Sequence, residues 1–174
     1  MPQSESSTSS SRPTIFLHTD GASSGNPGPG GYGALMQCGS YTKEFSGGFA
    51  RTTNNRMELL AVITGLEAIK WEHAKVEVFS DSTYVVKAIS EGWLEKWVGT
   101  GFKKAKNPDL WRRFLQVYRR HEVHFNWIKG HAGHPQNERC DALAVQAGAG
   151  AVARGEILPP DEGYIALQQT TKEQ

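Results

Sequence analysis

Four carboxylates stand out by where the chain puts them. Asp20 closes the β-branched, apolar run Thr14 to Thr19, just before Gly21. Asp81 closes Lys75 to Ser80 (KVEVFS), just before Ser82. Glu58 lies at the start of a stretch in which Leu59, Val62, Ile63, Leu66 and Ile69 recur at helical steps, and Asp141 lies early in a helical stretch from Gln136 to about Gly148. With the two strands as neighbours, Asp20 and Asp81 sit side by side at their carboxyl ends, the edge where open α/β sheets place their sites. Carboxylates packed this close repel one another, and desolvation raises their pKa values. A hard divalent cation removes both problems; Mg²⁺ suits carboxylate oxygens and keeps waters for substrate phosphates. A strand-end Asp before Gly or Ser also serves simply as a turn or cap residue, so spacing alone leaves both readings open.

Other chemistry is weighed in the same way. His131 follows Gly130 in a glycine-rich loop, where a histidine is mobile and titrates near neutrality. Proton transfer and an ordinary loop role are equally open to it. Gly28-Pro29-Gly30-Gly31-Tyr32-Gly33 matches G-x-G-x-x-G, but a strand-like segment follows instead of a helix, and Pro29 lacks the N–H that a phosphate cradle uses. It reads as a tight loop feeding a hairpin. His131, His134 and Cys140 match no usual zinc spacing; Cys140 reads as a buried or half-buried thiol. Trp71, Trp111 and Trp127 fall within element patterns and read as core or boundary residues. Trp93 and Trp97 precede Lys103, Lys104 and Lys106, a pairing that suits a sugar–phosphate backbone by stacking and charge, or a solvated helix and loop with the rings packed inward.

The elements that must position these groups follow from periodicity. Thr14 to Thr19 is a strand; Ala22 to Gly31 is turn-rich; Tyr32 to Cys38 and Tyr41 to Phe49 form a hairpin around Gly39-Ser40. These make an antiparallel meander, β1 to β3. Asn54 to Lys70 is an amphipathic helix that Asn54 can cap. The strand at Lys75 to Ser80 then lies parallel to β1 through a crossover. Helices are expected at Ser82 to Ile89, Glu91 to Val98, Leu110 to Arg120 and Gln136 to about Gly148, with a last strand at Glu122 to Lys129. The sum is an α/β fold with a five-stranded mixed sheet and four or five helices.

Length and composition bound the rest. The chain has 174 residues, enough for one domain with a packed core, and a net charge of +1 that excludes a polybasic mass binder but not a local basic patch. Two cysteines cannot build a disulfide framework, and no apolar run approaches a signal or membrane segment, so a soluble, cytoplasmic protein is expected. Residues 1–13 are Ser/Thr-rich and read as a disordered tail, residues 14–150 as the functional domain, and residues 151–174 as an irregular tail, partly docked or disordered.

Taken together, Thr19-Asp20-Gly21, the loop Gly25 to Gly33, Arg51-Thr52-Thr53-Asn54-Asn55-Arg56-Met57-Glu58-Leu59, Ser80-Asp81-Ser82 and the run Lys129 to Asp141 resemble type 1 ribonuclease H in its bacterial form. The likeness covers about Thr14 to Gly148, with five motifs in order. It implies the ribonuclease H-like fold and an endonuclease that cuts the RNA strand of an RNA–DNA hybrid, leaving 5′-phosphate and 3′-hydroxyl ends. It implies two Mg²⁺ ions, with Mn²⁺ as a substitute, held by Asp20, Glu58, Asp81 and Asp141, with His131 assisting proton transfer or product release. It places Asn26, Asn54 and Asn55 in the minor groove among the 2′-hydroxyls, with Gly21 as a further substrate contact. Arg51 and Thr53 match a phosphate pocket for the DNA strand. Tyr84 and Phe102 match positions in the DNA-strand channel and Trp93 and Trp97 the helix that leads into it, with Lys103 and Lys104 as further substrate contacts. Expected partners are the hybrid alone, with the protein a monomer, acting on replication primers and R-loops.

One departure from the family pattern has a consequence. Bacterial members often carry a strongly basic helix and loop after the second tryptophan, whereas here Trp97 is followed by Val98-Gly99-Thr100-Gly101-Phe102 and only then Lys103, Lys104 and Lys106. Weaker hybrid binding with a shallower salt dependence is expected. Two rivals differ in class: a non-catalytic duplex-binding module, which an altered acid would favour, and a DNA nuclease or strand-transfer enzyme of the wider fold, which lacks the asparagines in these settings. The head and tail also favour a free-standing protein over a detached polymerase domain.

Overall fold

The computed structural model describes residues 12–173, with side chains through residue 170. Of the Ser-rich head, residues 1–11 lie outside the described residues. One five-stranded sheet runs in the order β3-β2-β1-β4-β5, with β1 Ile15–Ser23, β2 Gly28–Cys38, β3 Tyr41–Thr52, β4 Lys75–Ser80 and β5 Glu122–Trp127. The β1–β2 and β2–β3 pairs are antiparallel; β1–β4 and β4–β5 are parallel. The mixed sheet expected from the residues is therefore the one observed.

Among the described residues there are seven helices, more than the sequence pattern predicts: α1 Asn54–Glu67, α2 Thr83–Ser90, α3 Trp93–Gly99, α4 Pro108–Tyr118, α5 Pro135–Ala147, α6 Ala149–Ala153 and α7 Glu162–Glu173. None is long and apolar enough to cross a membrane. The additional helices come from the C-terminal segment, which the sequence reading takes as irregular. Asp161 makes α7 possible there: its Oδ1 accepts from the Tyr164 N–H at 3.2 Å, satisfying an amide of the helix's first turn. A Gly in that turn and Thr residues at its end weaken the pattern that would announce the helix.

Helix α1 is the central helix. It reads as amphipathic, yet Met57 through Ile63 are all buried, because the sheet covers one side and α4 the other. Leu59, Val62, Ile63 and Leu66 meet Leu17, Val76 and Val78 in one core. Its cap is Thr53, whose hydroxyl accepts from the Arg56 N–H at 3.2 Å; Asn54, the expected cap, is already inside the helix. Helix α4 adds Leu110, Trp111, Phe114 and Val117 to the core.

Helix α5 packs on β1 and β2 from the other face and explains the glycines. The run Gly28 to Gly33 is not a loop but the first half of β2, paired with β1 through Asp20↔Gly33, Gly21↔Tyr32 and Ala22↔Gly31. A Cβ on Gly31 or Gly33 would run into the carbonyls of Ala144 and Cys140. The absent side chains let α5 lie directly on the strand. The hairpin turn falls at Gly39-Ser40 as expected, with Gly39 at φ +61°. Of the tryptophans, Trp111 is fully buried, but Trp127 is 52% exposed at the end of β5, where its indole N–H reaches the Asp81 carbonyl. It is a surface residue at the site and not part of the core.

Candidate active site

The strand register brings the first pair of acids together. In the parallel β1–β4 pair, Ile15 faces Val76 and His18 faces Phe79. Two residues further the strands part: Asp81 follows the last residue of β4, whereas Asp20, expected at the end of its strand, lies inside β1, which runs on to Ser23 against β2. The end of β4 is braced: the Ser82 N–H donates to Ser80 Oγ at 3.0 Å and the Ile128 N–H to the Ser80 carbonyl at 3.0 Å. Glu58 comes from the second turn of α1. Gly21 allows its approach, since a Cβ there would strike the backbone of Met57 and Glu58. Gly130 does the same for Asp81, because its Cβ would lie 2.6 Å from Asp81 Oδ2. Nothing in the spacing of the sequence distinguishes these two glycines from ordinary turn glycines.

The result is one cluster: carboxylate oxygens of Asp20, Glu58 and Asp81 lie within 4.8 Å of one another. Asp20 and Glu58 are 5% and 4% exposed, and Asp81 is half-buried. Burial, then the charge of Asp81, push the Asp20 carboxyl up to about 7. Burial, then the charges of Asp20 and Asp81, hold Glu58 well above the usual carboxylate range, and burial raises Asp81 as well. The Gly21 N–H donates to Asp20 Oδ1 at 3.0 Å, which offsets part of that cost. Glu58 Oε2 is buried with no hydrogen-bond partner. A buried, unpartnered carboxylate oxygen among two other acids is a donor set suited to a hard divalent cation.

Around the cluster is an open cleft of about 430 Å³. Gly21, Asn54, Asn55, Tyr84, His131 and Asp141 line it with the three acids. Asp141, from the second turn of α5, stands on the rim and outside the tight trio, yet its charge is felt by Asp20 and Asp81. His131 is exposed at φ +55° and close enough for its charge to lower Asp81. Asn26 is held beside Asn54, whose N–H donates to Asn26 Oδ1 at 3.1 Å.

The remaining predicted residues spread outward. Thr53 spends its hydroxyl on the helix cap, and Arg51 is exposed near the end of β3. Phe102 is 8% exposed, packed into the core at φ +63° with the Arg112 guanidinium over its ring, while Lys103 and Lys104 beside it are exposed. Trp97 is half-buried and stacks toward Trp111 with ring centroids 5.2 Å apart, and Trp93 follows at 6.4 Å from Trp97. Of the two arrangements open to these rings, the structure has the inward-packed one. The Tyr84 hydroxyl accepts from the Trp111 indole at 2.8 Å and from Asn107 at 3.1 Å. Cys140 is buried, its thiol donating to the His18 carbonyl and pushed up to about 12 by burial.

A buried ion network behind the site escaped the sequence reading. Arg56, 1% exposed, pairs with Asp109 at 2.7 Å and with Asp161 at 2.8 Å, and Asp161 also accepts from Thr52 at 2.6 Å. This ties the start of α1, and so Glu58, Asn54 and Asn55, to α4 and to the C-terminal segment. The signal was a lone arginine in the first turn of a helix, the end where a cation is electrostatically disfavoured unless an acid faces it.

The RNase H family model matches residues 12–149. The ribonuclease H of Desulforamulus reducens is 57% identical over 84% of this chain and 92% of its own length. Among solved structures, LC9-RNase H1, a type 1 RNase H with the type 2 active-site motif, superposes with a TM-score of 0.73 at 33% identity, covering 80% of this chain and 74% of that one. LC11-RNase H1, solved in complex with an RNA/DNA hybrid, gives 0.58 at 28% identity over 80% and 99%. With that match along most of its length, and with the acids of its motifs gathered at one sheet edge, the chain belongs to the type 1 RNase H family and is a ribonuclease H enzyme.

Proposed function

We propose that the cleft hydrolyses the RNA strand of RNA–DNA hybrids, with two divalent cations, Mg²⁺ first and Mn²⁺ as a substitute, leaving 5′-phosphate and 3′-hydroxyl ends. The observation that carries this reading is the convergence of Asp20, Glu58 and Asp81 within 4.8 Å, with Glu58 Oε2 left unpartnered. Asp20, Glu58 and Asp81 would hold the ions, with Asp141 joining from the rim. Bound there, the ions would supply a more acidic water as nucleophile and neutralise charge on the leaving 3′ oxygen.

The chain's own residues do the rest. Burial disfavours the charged forms of Asp20 and Glu58, so bound cations would both balance these acids and let an anionic substrate approach them. His131, exposed on the cleft rim near Asp81, would take or give a proton at the leaving oxygen. Asn54 and Asn55 present amides beside the acids, and Asn26 braces Asn54. Amides at this height suit the 2′-hydroxyl, the group that separates RNA from DNA. The complex of LC11-RNase H1 with an RNA/DNA hybrid supports the same substrate class. A monomer in the cytoplasm, with Cys38 and Cys140 as free thiols, would act on replication primers and R-loops.

The test is cleavage of end-labelled hybrid, RNA duplex, DNA duplex and single-stranded RNA, each with Mg²⁺ and with EDTA. Cutting of only the RNA in the hybrid, abolished by EDTA, is expected. Asp81→Asn should lose most cleavage and keep hybrid binding; near-normal turnover by that variant would break the mechanism.

A further inference from the structure

Beyond the acid cleft, a second groove of about 500 Å³ continues along the same face. Asn55 lines both, so the two are continuous. One wall holds Asn26 and Asn55, a second Lys103 and Lys106, and the third is helix α7, through Tyr164, Gln168 and Thr170. Resting on the hybrid-cleaving reading, we propose that α7 belongs to the substrate-binding face and that Gln168 contacts the sugar–phosphate backbone of the hybrid as it leaves the cleft.

Three observations support this. The lining has the wrong charge for a cation and the right one for a phosphodiester: two ammonium groups, several amides and, among the described residues, no carboxylate. That composition is the reverse of the acid cleft beside it. The wall is also rigid. Asp161 caps α7 and is locked to Arg56 and Thr52, the Ala50 N–H donates to the Pro159 carbonyl at 2.9 Å, and Tyr164 is 9% exposed. Finally, α7 is two-faced. Gln168 is exposed on the groove side, whereas Ile165 and Gln169 line a separate depression on the other. The Thr170 hydroxyl is spent on the Ala166 carbonyl at 3.1 Å, whereas the Gln168 amide is exposed on the groove side. A neutral wall of this kind fits a chain whose basic run is short, since it adds contacts without adding charge.

The experiment measures binding of a labelled RNA–DNA hybrid by fluorescence anisotropy in the full-length Asp81→Asn protein, where cleavage does not interfere. Gln168→Glu should raise Kd about five-fold at low salt, the effect of one partly screened surface charge against a phosphate. Gln168→Lys should lower it by a similar factor and steepen the slope of log K against log salt by about one. Gln169→Glu, on the opposite face of the same helix, should change neither. In the active enzyme, Gln168→Glu should raise KM with kcat unchanged. If the two Gln168 variants move Kd in the same direction, or no further than Gln169→Glu does, α7 is not part of the face. If the parent protein binds no hybrid at all, the substrate assignment itself falls, and this proposal with it.

Discussion

Asp20→Asn should make the metal-free protein more stable while it destroys activity. Burial and the neighbouring Asp81 raise the Asp20 carboxyl from its ordinary 3.8 to about 7. Its folded-state pKa therefore lies above its unfolded-state value, so the folded protein binds the proton more tightly than the unfolded chain. The contribution of this carboxyl to stability is full below about pH 4, falls as pH rises toward 7, and is gone above that. At ~1.4 kcal/mol per pH unit, the interval from 3.8 to about 7 corresponds to a penalty of about 4 kcal/mol above neutrality. Coulomb repulsion gives the same scale: two unit charges 4.8 Å apart cost ~3.5 kcal/mol at an effective dielectric constant of 20. An amide at position 20 removes that penalty at the expense of an anionic metal ligand. The assay is urea or thermal unfolding of wild type and Asp20→Asn in EDTA at pH 5 and pH 8, repeated with Mg²⁺. At 2–4 °C per kcal/mol, the variant should melt up to about 8–16 °C higher at pH 8, with a smaller gap at pH 5. Mg²⁺ should raise the wild-type Tm more than the variant's. A variant no more stable than wild type at pH 8 in EDTA would refute the idea that these acids repel one another in the fold.

Three other outcomes follow from the same geometry. His131→Ala should reduce kcat by about 10–100-fold, near the lower end for a single acid–base group, with hybrid affinity retained; an unchanged rate removes His131 from the chemistry. Arg56→Ala leaves Asp109 and Asp161 buried without their cation, and equilibrium unfolding should show a loss of about 3–5 kcal/mol. A loss below about 1 kcal/mol would mean that the network does not hold the C-terminal segment in place. The short run Lys103, Lys104 and Lys106 should give a shallower salt dependence of hybrid binding than a relative with more lysines after the second tryptophan; titrations across several salt concentrations that give equal slopes would contradict it.

Much of this was legible in the residues because it is local. The strand-end acid Asp81, the turn at Gly39-Ser40 and the three- and four-residue steps after Glu58 are set by short-range sterics and periodicity, whereas Asp20, read as a strand end, lies inside β1, which β2 extends to Ser23. The β1–β4 pairing followed from one more rule, that a helix between two strands makes them parallel. The errors fall where a distant segment overrides a local pattern. Gly28 to Gly33 looks like a loop, yet it is a strand, because α5 presses its carbonyls where side chains would stand. Trp127 reads as a core or boundary residue, yet it is 52% exposed at the end of β5. The C-terminal segment looks irregular, yet it is helical, because Asp161 finds Arg56 more than a hundred residues away.

The sequence by itself singled out candidates, the four acids and His131 by their place in the chain and the asparagines by the family resemblance, each carried on an element or loop that its own neighbours specify. Only the tertiary structure decided how they meet. It drew three acids within 4.8 Å and left Asp141 on the rim, it turned Trp93 and Trp97 inward, and it set α7 beside the groove. The reason is physical. Element type depends on contacts a few residues apart, whereas distances within a site depend on backbone approach between segments far apart in sequence. Here that approach is controlled by Gly21, Gly33 and Gly130, whose absent side chains leave no periodic trace in the chain.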